Sequence, residues 1–380
     1  MKTGLDDQHF RTENQSSWCT FPSTPCPLLP EEMGKVHTSK SDSKRKLVCM
    51  KAILVGAGGM GKAWAKNLIA NPETEIVAWV DVQPDQVDRS NAELGTNFLG
   101  FTDLTEPIEA TNADFVVDVS TPDAHEEITI TALEAGLPVL GEKPMSTSME
   151  SARRMVAASE RTGKLYMVSQ SRRYNGNQEA FKSLLGEIGD LGIINVDFYI
   201  GAHFGGFRDE MAHVLILDMA IHTLDQARYL LGLDPVSVYA DEFNPKWSWY
   251  HEGSSINCLF EMENGVRFNY RGSWCAEGLH TSWEGDWRAV GSTGTARWDG
   301  HDTIEAEIVT GDEGFHRSVE HRTATKRDIP EGIDGSLRDF LHALRTGETP
   351  QGECHDNIKS LAMVFGAIES AKSAHRVDIA

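Results

Sequence analysis

The 380-residue sequence predicts an α/β protein. It should carry a doubly wound parallel sheet on its N-terminal side, then an α+β domain with an open, largely antiparallel or mixed sheet. Two patterns predict this. From residue 50 to about 172, continuous apolar runs alternate with helical stretches, as strands buried on both faces do. Beyond that point short strands follow one another with turn signals and little room for crossover helices.

The elements follow in order. "KAILV" is an apolar strand that runs into glycines and then a helical stretch, "GKAWAKNLIAN". "TEIVAWVD" and "ADFVVDVS" are further strands; "HEEITITALEAG" is helical, ended by Gly136 and Pro138. "LPVLGEKP" is a strand, "MESARRMVAASERTG" a helix and "KLYMVSQS" the last strand of this unit. After a helix over 177–187, strands are expected at "INVDFYI", "PVSVYAD", "SINCLFEME", "VRFNYRGSW", "WRAVGS", "TARWDG" and "TIEAEIV", with a hairpin turn at "ENG", 263–265. Helices around 334–346 and 355–374 close the chain. Residues 1–47 are polar and aperiodic, which predicts a disordered extension; Met50 reads as a natural start. The expected divisions are therefore 1–47, 48–172 and 173–380.

Composition narrows the function. The net charge is −22, and the first 47 residues hold seven basic against six acidic side chains, so the acid excess belongs to the folded part. Such a surface repels nucleic-acid phosphates. No run is long and apolar enough to span a membrane, and the N-terminus lacks the pattern of a signal peptide. Cys19, Cys26, Cys49, Cys258, Cys275 and Cys354 lack metal-ligand spacing, which points to a reducing, cytoplasmic protein without a metal site.

The chemistry begins at "GAGGMG", a G-x-G-x-x-G between a strand and a helix. Gly56 permits the tight turn, Gly58 lets the backbone approach a pyrophosphate, and Gly61 allows close packing of helix on strand. Gly59 and Met60 complete the loop, and the helix start offers N–H groups to an anion. Asp81 ends the next strand, 20 residues after Gly61, where an acid accepts hydrogen bonds from ribose hydroxyls. An acid there repels a 2′-phosphate, and no arginine follows until Arg89, so NAD is favoured over NADP. Ser120 and Thr121 end the fourth expected strand, where they serve either a nicotinamide ribose or an ordinary strand-ending turn. "GEKP" puts Glu142 and Lys143 at the same sheet edge; alone, Lys143 would read as a surface lysine. Pro144 fixes that turn and is a candidate for a cis peptide.

"LILDMAIHTLD", residues 215–225, carries Asp218, His222 and Asp225 along one helical stripe beside an apolar one. Buried ionisable groups are costly unless paired or used. By itself the Asp218/His222 pair reads as a satisfied buried pair; Asp225 either holds His222's other nitrogen or serves the helix.

Taken in order, "GAGGMG", "STP" with a nearby His125, "GEKP", "DMAIH" and the closing "SAHRVDI" resemble the Gfo/Idh/MocA family of NAD(P)-dependent oxidoreductases, over about residues 50–378. That family is named for glucose–fructose oxidoreductase and inositol dehydrogenase. The resemblance implies a Rossmann domain, then a domain whose open sheet often builds oligomers, here a homodimer or homotetramer. It also implies Lys143 beside nicotinamide and substrate hydroxyl, Asp218 orienting a sugar or cyclitol, and His222 as general base. Two departures stand out: His125 lies close to Pro122, and Leu215 and Ile216 occupy positions where small residues are common.

With these residues in place, a secondary alcohol could lose its proton to His222 while Lys143 stabilises the developing alkoxide. The competing readings are a redox glycosidase that retains its NAD and a non-catalytic sensor. Six of nine tryptophans fall between 247 and 298, mostly as expected core or interface residues, with one or two near "KWSWYHEG" or "GLHTSWEGDW" in reach of substrate. Arg172, Arg173 and Tyr174 fall at the domain junction without an assigned role.

Overall fold

Two sheets share one core. The structure, a computed structural model, describes residues 49–379. The expectations for the extension, Cys19 and Cys26 included, lie outside the described residues.

The first sheet has six parallel strands: β1 (Met50–Val55), β2 (Thr74–Val80), β3 (Gly100–Phe101), β4 (Phe115–Asp118), β5 (Val139–Gly141) and β6 (Tyr166–Val168), ordered β3-β2-β1-β4-β5-β6. Helices α1 (Gly59–Ala70), α2 (Gln86–Leu94), α3 (Thr105–Ala110), α4 (His125–Glu134) and α5 (Met149–Thr162) connect them. The order reverses at β1 and β4, so the carboxyl ends of these two strands open a crevice. Every residue of β4 is buried, which is why its run reads as continuously apolar apart from Asp118.

After α6 (Gly176–Leu185) the second sheet begins with β7 (Leu191–Tyr199). A π-helix (Leu215–Ala220) running directly into α7 (Ile221–Leu231) precedes β8 (Pro235–Phe243), β9 (Ser255–Met262), β10 (Arg267–Ser273), β11 (Asp286–Gly291), β12 (Gly294–Trp298), β13 (Ile304–Val309) and β14 (Val319–Thr323). The chain closes with α8 (Gly332–Thr346), α9 (Cys354–Ser373) and β15 (Val377–Asp378). The nine strands run β14-β13-β12-β11-β7-β10-β9-β8-β15, all antiparallel except the β7–β10 pair. The turn at Glu263–Gly265 joins β9 to β10, with Asn264 at φ 58°.

Helix α8 returns to the first sheet: Leu337, Phe340 and Leu341 pack with Trp64, Phe115 and Leu140, and the Phe115 and Phe340 rings lie 5.5 Å apart. The expected helix at 215–225 divides into two kinds of turn. Leu215 and Ile216, fully buried, anchor the wider π turn, which carries Asp218, while His222 stands in the first turn of α7. Such π segments cluster at functional sites.

Candidate active site

At the crevice, the loop after β1 obeys close contacts. A Cβ on Gly61 would sit 2.1 Å from the Gly56 carbonyl oxygen, and one on Gly56, at φ 95°, would sit 2.5 Å from that of Val119. Neither position tolerates a side chain. Gly58 and Gly59 face open space, and Gly58 precedes α1 without a side-chain cap, so its first N–H groups stay open to an anion. Gly56, Gly58, Gly59, Met60, Asp81, Ser120 and Thr121 together line a groove of about 760 Å³. Asp81 is fixed by two backbone donors: Ala57 N to Oδ2 at 2.8 Å and Gln83 N to Oδ1 at 2.9 Å. Ser120 Oγ donates to Asp118 Oδ1 at 2.7 Å, which leaves its lone pairs to accept. This open glycine cradle with a fixed acid at its far end fits a dinucleotide.

Glu142 does not line the groove. It is buried behind it, accepting from Trp64 Nε1 at 2.7 Å and from the Lys143 backbone N at 3.0 Å, and burial raises its carboxyl above the ordinary range despite these donors. It therefore ties α1 to the turn that carries Lys143. His125 is a second brace: Nδ1 lies 3.0 Å from the Pro144 carbonyl and Nε2 lies 3.2 Å from that of Ser120. The Lys143–Pro144 peptide is cis.

Lys143 Nζ donates to the Asp218 carbonyl at 2.9 Å and to Oδ1 at 3.3 Å, across the two sheets' helices. Arg208 Nε donates to Asp218 Oδ2 at 2.6 Å. Burial alone would raise the Asp218 carboxyl, yet the charges of Lys143 and Arg208 outweigh it and hold it below the usual carboxylate range. His222 has Nδ1 buried without a partner among the described residues, which leaves Nε2 as its accessible nitrogen. Burial, then the charges of Lys143 and Arg172, push its pKa well below the ordinary 6.5. The shift favours the neutral imidazole, whose unprotonated nitrogen keeps a lone pair for a proton.

Asp225 does not hold His222. Its carboxylate grips Arg173 through two bonds of 2.7 and 2.6 Å and accepts from Ser360 Oγ at 2.6 Å, a buried clamp between α7, the 171–174 turn and α9. Arg172 takes the cleft side of that turn: it donates to the Trp283 carbonyl and lies 3.9 Å from Glu284 Oε1. Neither Arg172 nor Arg208 carries a sequence signal, because each acts through contacts with residues remote in the chain. Among the described residues, the donors of Glu353, Cys354 and His355 lie within 4.8 Å of one another; they are consecutive residues that bond each other at the start of α9.

Known proteins share this fold. Residues 50–170 match the oxidoreductase family with an NAD-binding Rossmann fold, and 150–297 match the GFO/IDH/MocA C-terminal domain. An uncharacterised protein, y4oX of Sinorhizobium fredii, is 29% identical over 353 residues, covering 87% of this chain and 95% of its own. Inositol 2-dehydrogenase of Rhizobium meliloti is 25% identical over 344 residues, covering 86% and 98%. A crystal structure of an oxidoreductase from Agrobacterium radiobacter with NAD+, L-tartaric acid and magnesium superposes with a TM-score of 0.75 at 23% identity, covering 87% of this chain and 98% of that one. With its cradle, its acid and both of its sheets accounted for, the chain belongs to the GFO/IDH/MocA family of NAD-binding oxidoreductases.

Proposed function

We propose that the protein is an NAD-dependent dehydrogenase that oxidises a secondary alcohol of a sugar, sugar derivative or cyclitol. The observation that carries this reading is the Lys143–Asp218 pair together with His222, half-buried with its Nδ1 enclosed and Nε2 accessible. Gly58, Gly59 and the start of α1 would hold the pyrophosphate, Asp81 the adenosine ribose, and Ser120 and Thr121 the nicotinamide side. The bound dinucleotide supplies a nicotinamide that takes up the hydride.

The chain's own groups do the rest. His222 Nε2 takes the hydroxyl proton, and the Lys143 ammonium stabilises the alkoxide that develops. Asp218 holds that ammonium in place and leaves lone pairs for substrate hydroxyls. Asp81 leaves no room in charge for a 2′-phosphate, which favours NAD over NADP. Assay of the purified protein with NAD+ against sugars, sugar acids, cyclitols and glycosides tests the reading. NADH is expected from at least one class, and release of an aglycone without net NADH would replace it with a redox glycosidase.

The outward face of the nine-stranded sheet exposes Ile193, Tyr239, Leu259 and Val290, which favours a homodimer or homotetramer; sedimentation of wild type against Leu259→Glu would read it. Among the described residues the four cysteines are unpaired, consistent with a reducing, cytoplasmic setting.

A further inference from the structure

The connection between β7 and the π-helix places a second cation on Asp218. Gly205 and Gly206 both sit at φ 68°, where a side chain would be strained. They turn the chain so that Phe207 and Arg208 reach the rim of the dinucleotide groove and Arg208 meets Asp218. The rings of Phe204 and Phe207 lie 5.0 and 4.8 Å from the guanidinium carbon, holding its plane. Only Nε is engaged: among the described residues, neither Nη group of Arg208 has a hydrogen-bond partner. That leaves free a planar pair of donors, the edge that grips a carboxylate at two points.

The local charge points the same way. Lys143 and Arg208 share the single carboxylate of Asp218. Glu142 is turned away onto Trp64. Two cations on one carboxylate, within a chain of net charge −22, mark this corner of the cleft as a place that draws an anion. We infer that the substrate is a polyhydroxy acid, whose carboxylate is read by the free edge of Arg208 while its alcohol lies against Lys143 and His222. The inference rests on the dehydrogenase reading and narrows it to one substrate class.

Matched pairs test it: glucuronate against glucose, galacturonate against galactose and gluconate against glucitol, with wild type, Arg208→Ala and Arg208→Lys. The acid should exceed its neutral partner in kcat/KM in at least one pair. Arg208→Ala should raise KM for that acid about 10²-fold, the usual scale for removing one partner of a charged pair. The neutral partner's KM should rise by a much smaller factor, since it loses only the bond that fixes Asp218, so the preference for the acid should collapse; NADH binding that persists, read by fluorescence, shows that the variant is folded. Arg208→Lys should recover only part of the loss, since it keeps the charge without the two-point edge.

Neutral compounds turned over as well as acids would overturn the inference while leaving the dehydrogenase reading intact. So would an Arg208→Ala effect that weakens NADH and raises both KM values alike, because Arg208 would then clamp the cofactor. If no compound yields NADH, the dehydrogenase reading fails. Calorimetric titration of the NADH-loaded protein then decides the inference by itself: acids that bind wild type but not Arg208→Ala support it, and no binding of any acid overturns it.

Discussion

Lys143→Ala is expected to lower kcat about 10²–10³-fold, the usual cost of removing one preorganised stabiliser of a developing oxyanion. The fold should survive, because Asp218 keeps the 2.6 Å bond from Arg208 and is not left as an unpaired buried charge. Unaltered NADH binding and thermal midpoint, beside the loss of turnover, would place the effect in the chemical step. Full activity in this variant would remove Lys143 from the reaction. The substitution also takes away one of the charges that depress His222, so the imidazole should move back toward its ordinary value, with burial and Arg172 still opposing it.

His222→Asn should cost about 10²–10⁴-fold in oxidation, the range for a positioned general base. Its pH dependence gives the sharper test. The wild-type imidazole is held well below 6.5, first by burial, so the base form persists as pH falls past that value. For oxidation, kcat/KM should therefore show no acid limb at 6.5; a limb centred there or above would mean that His222 titrates normally or is not the base. The reverse reaction needs the protonated ring, so its kcat/KM should fall with rising pH from well below 6.5. Stability has a consistent sign: the unfolded chain takes up this proton near 6.5 and the fold only at lower pH, so the contribution is present above 6.5 and lost as pH falls.

Much of this was legible because the signals are local. The glycine loop and Asp81 sit where strands end, and spacing finds them; Lys143 also ends a strand but stands out only within the ordered set of motifs. Asp218 and His222 were legible as a pair, but not the π turn that separates their settings, since an i to i+4 spacing reads the same in either helix. Asp225 was open between holding His222 and serving the helix; its structural partner, Arg173, lies 52 residues away, beyond the reach of local spacing. Strand β14 was missed because all five of its residues are exposed, leaving no apolar pattern; it pairs with β13 through its backbone. The return of α8 onto the first sheet was hidden too, since an amphipathic pattern says which face is buried but not against what. Arg172 and Arg208 complete the site from connections that carry no periodicity, and His125 braces it from the first residue of α4.

Hydride transfer from a secondary alcohol can be watched with a substrate bearing deuterium at the carbinol carbon, chosen as the compound that reduces NAD+ best. The proposed reaction predicts net NADH with one deuterium at nicotinamide C4, a slower reaction than with the unlabelled substrate, and loss of both product and label in Lys143→Ala. Label lost to water with no reduced cofactor, or consumption of the substrate without net NADH, would contradict it.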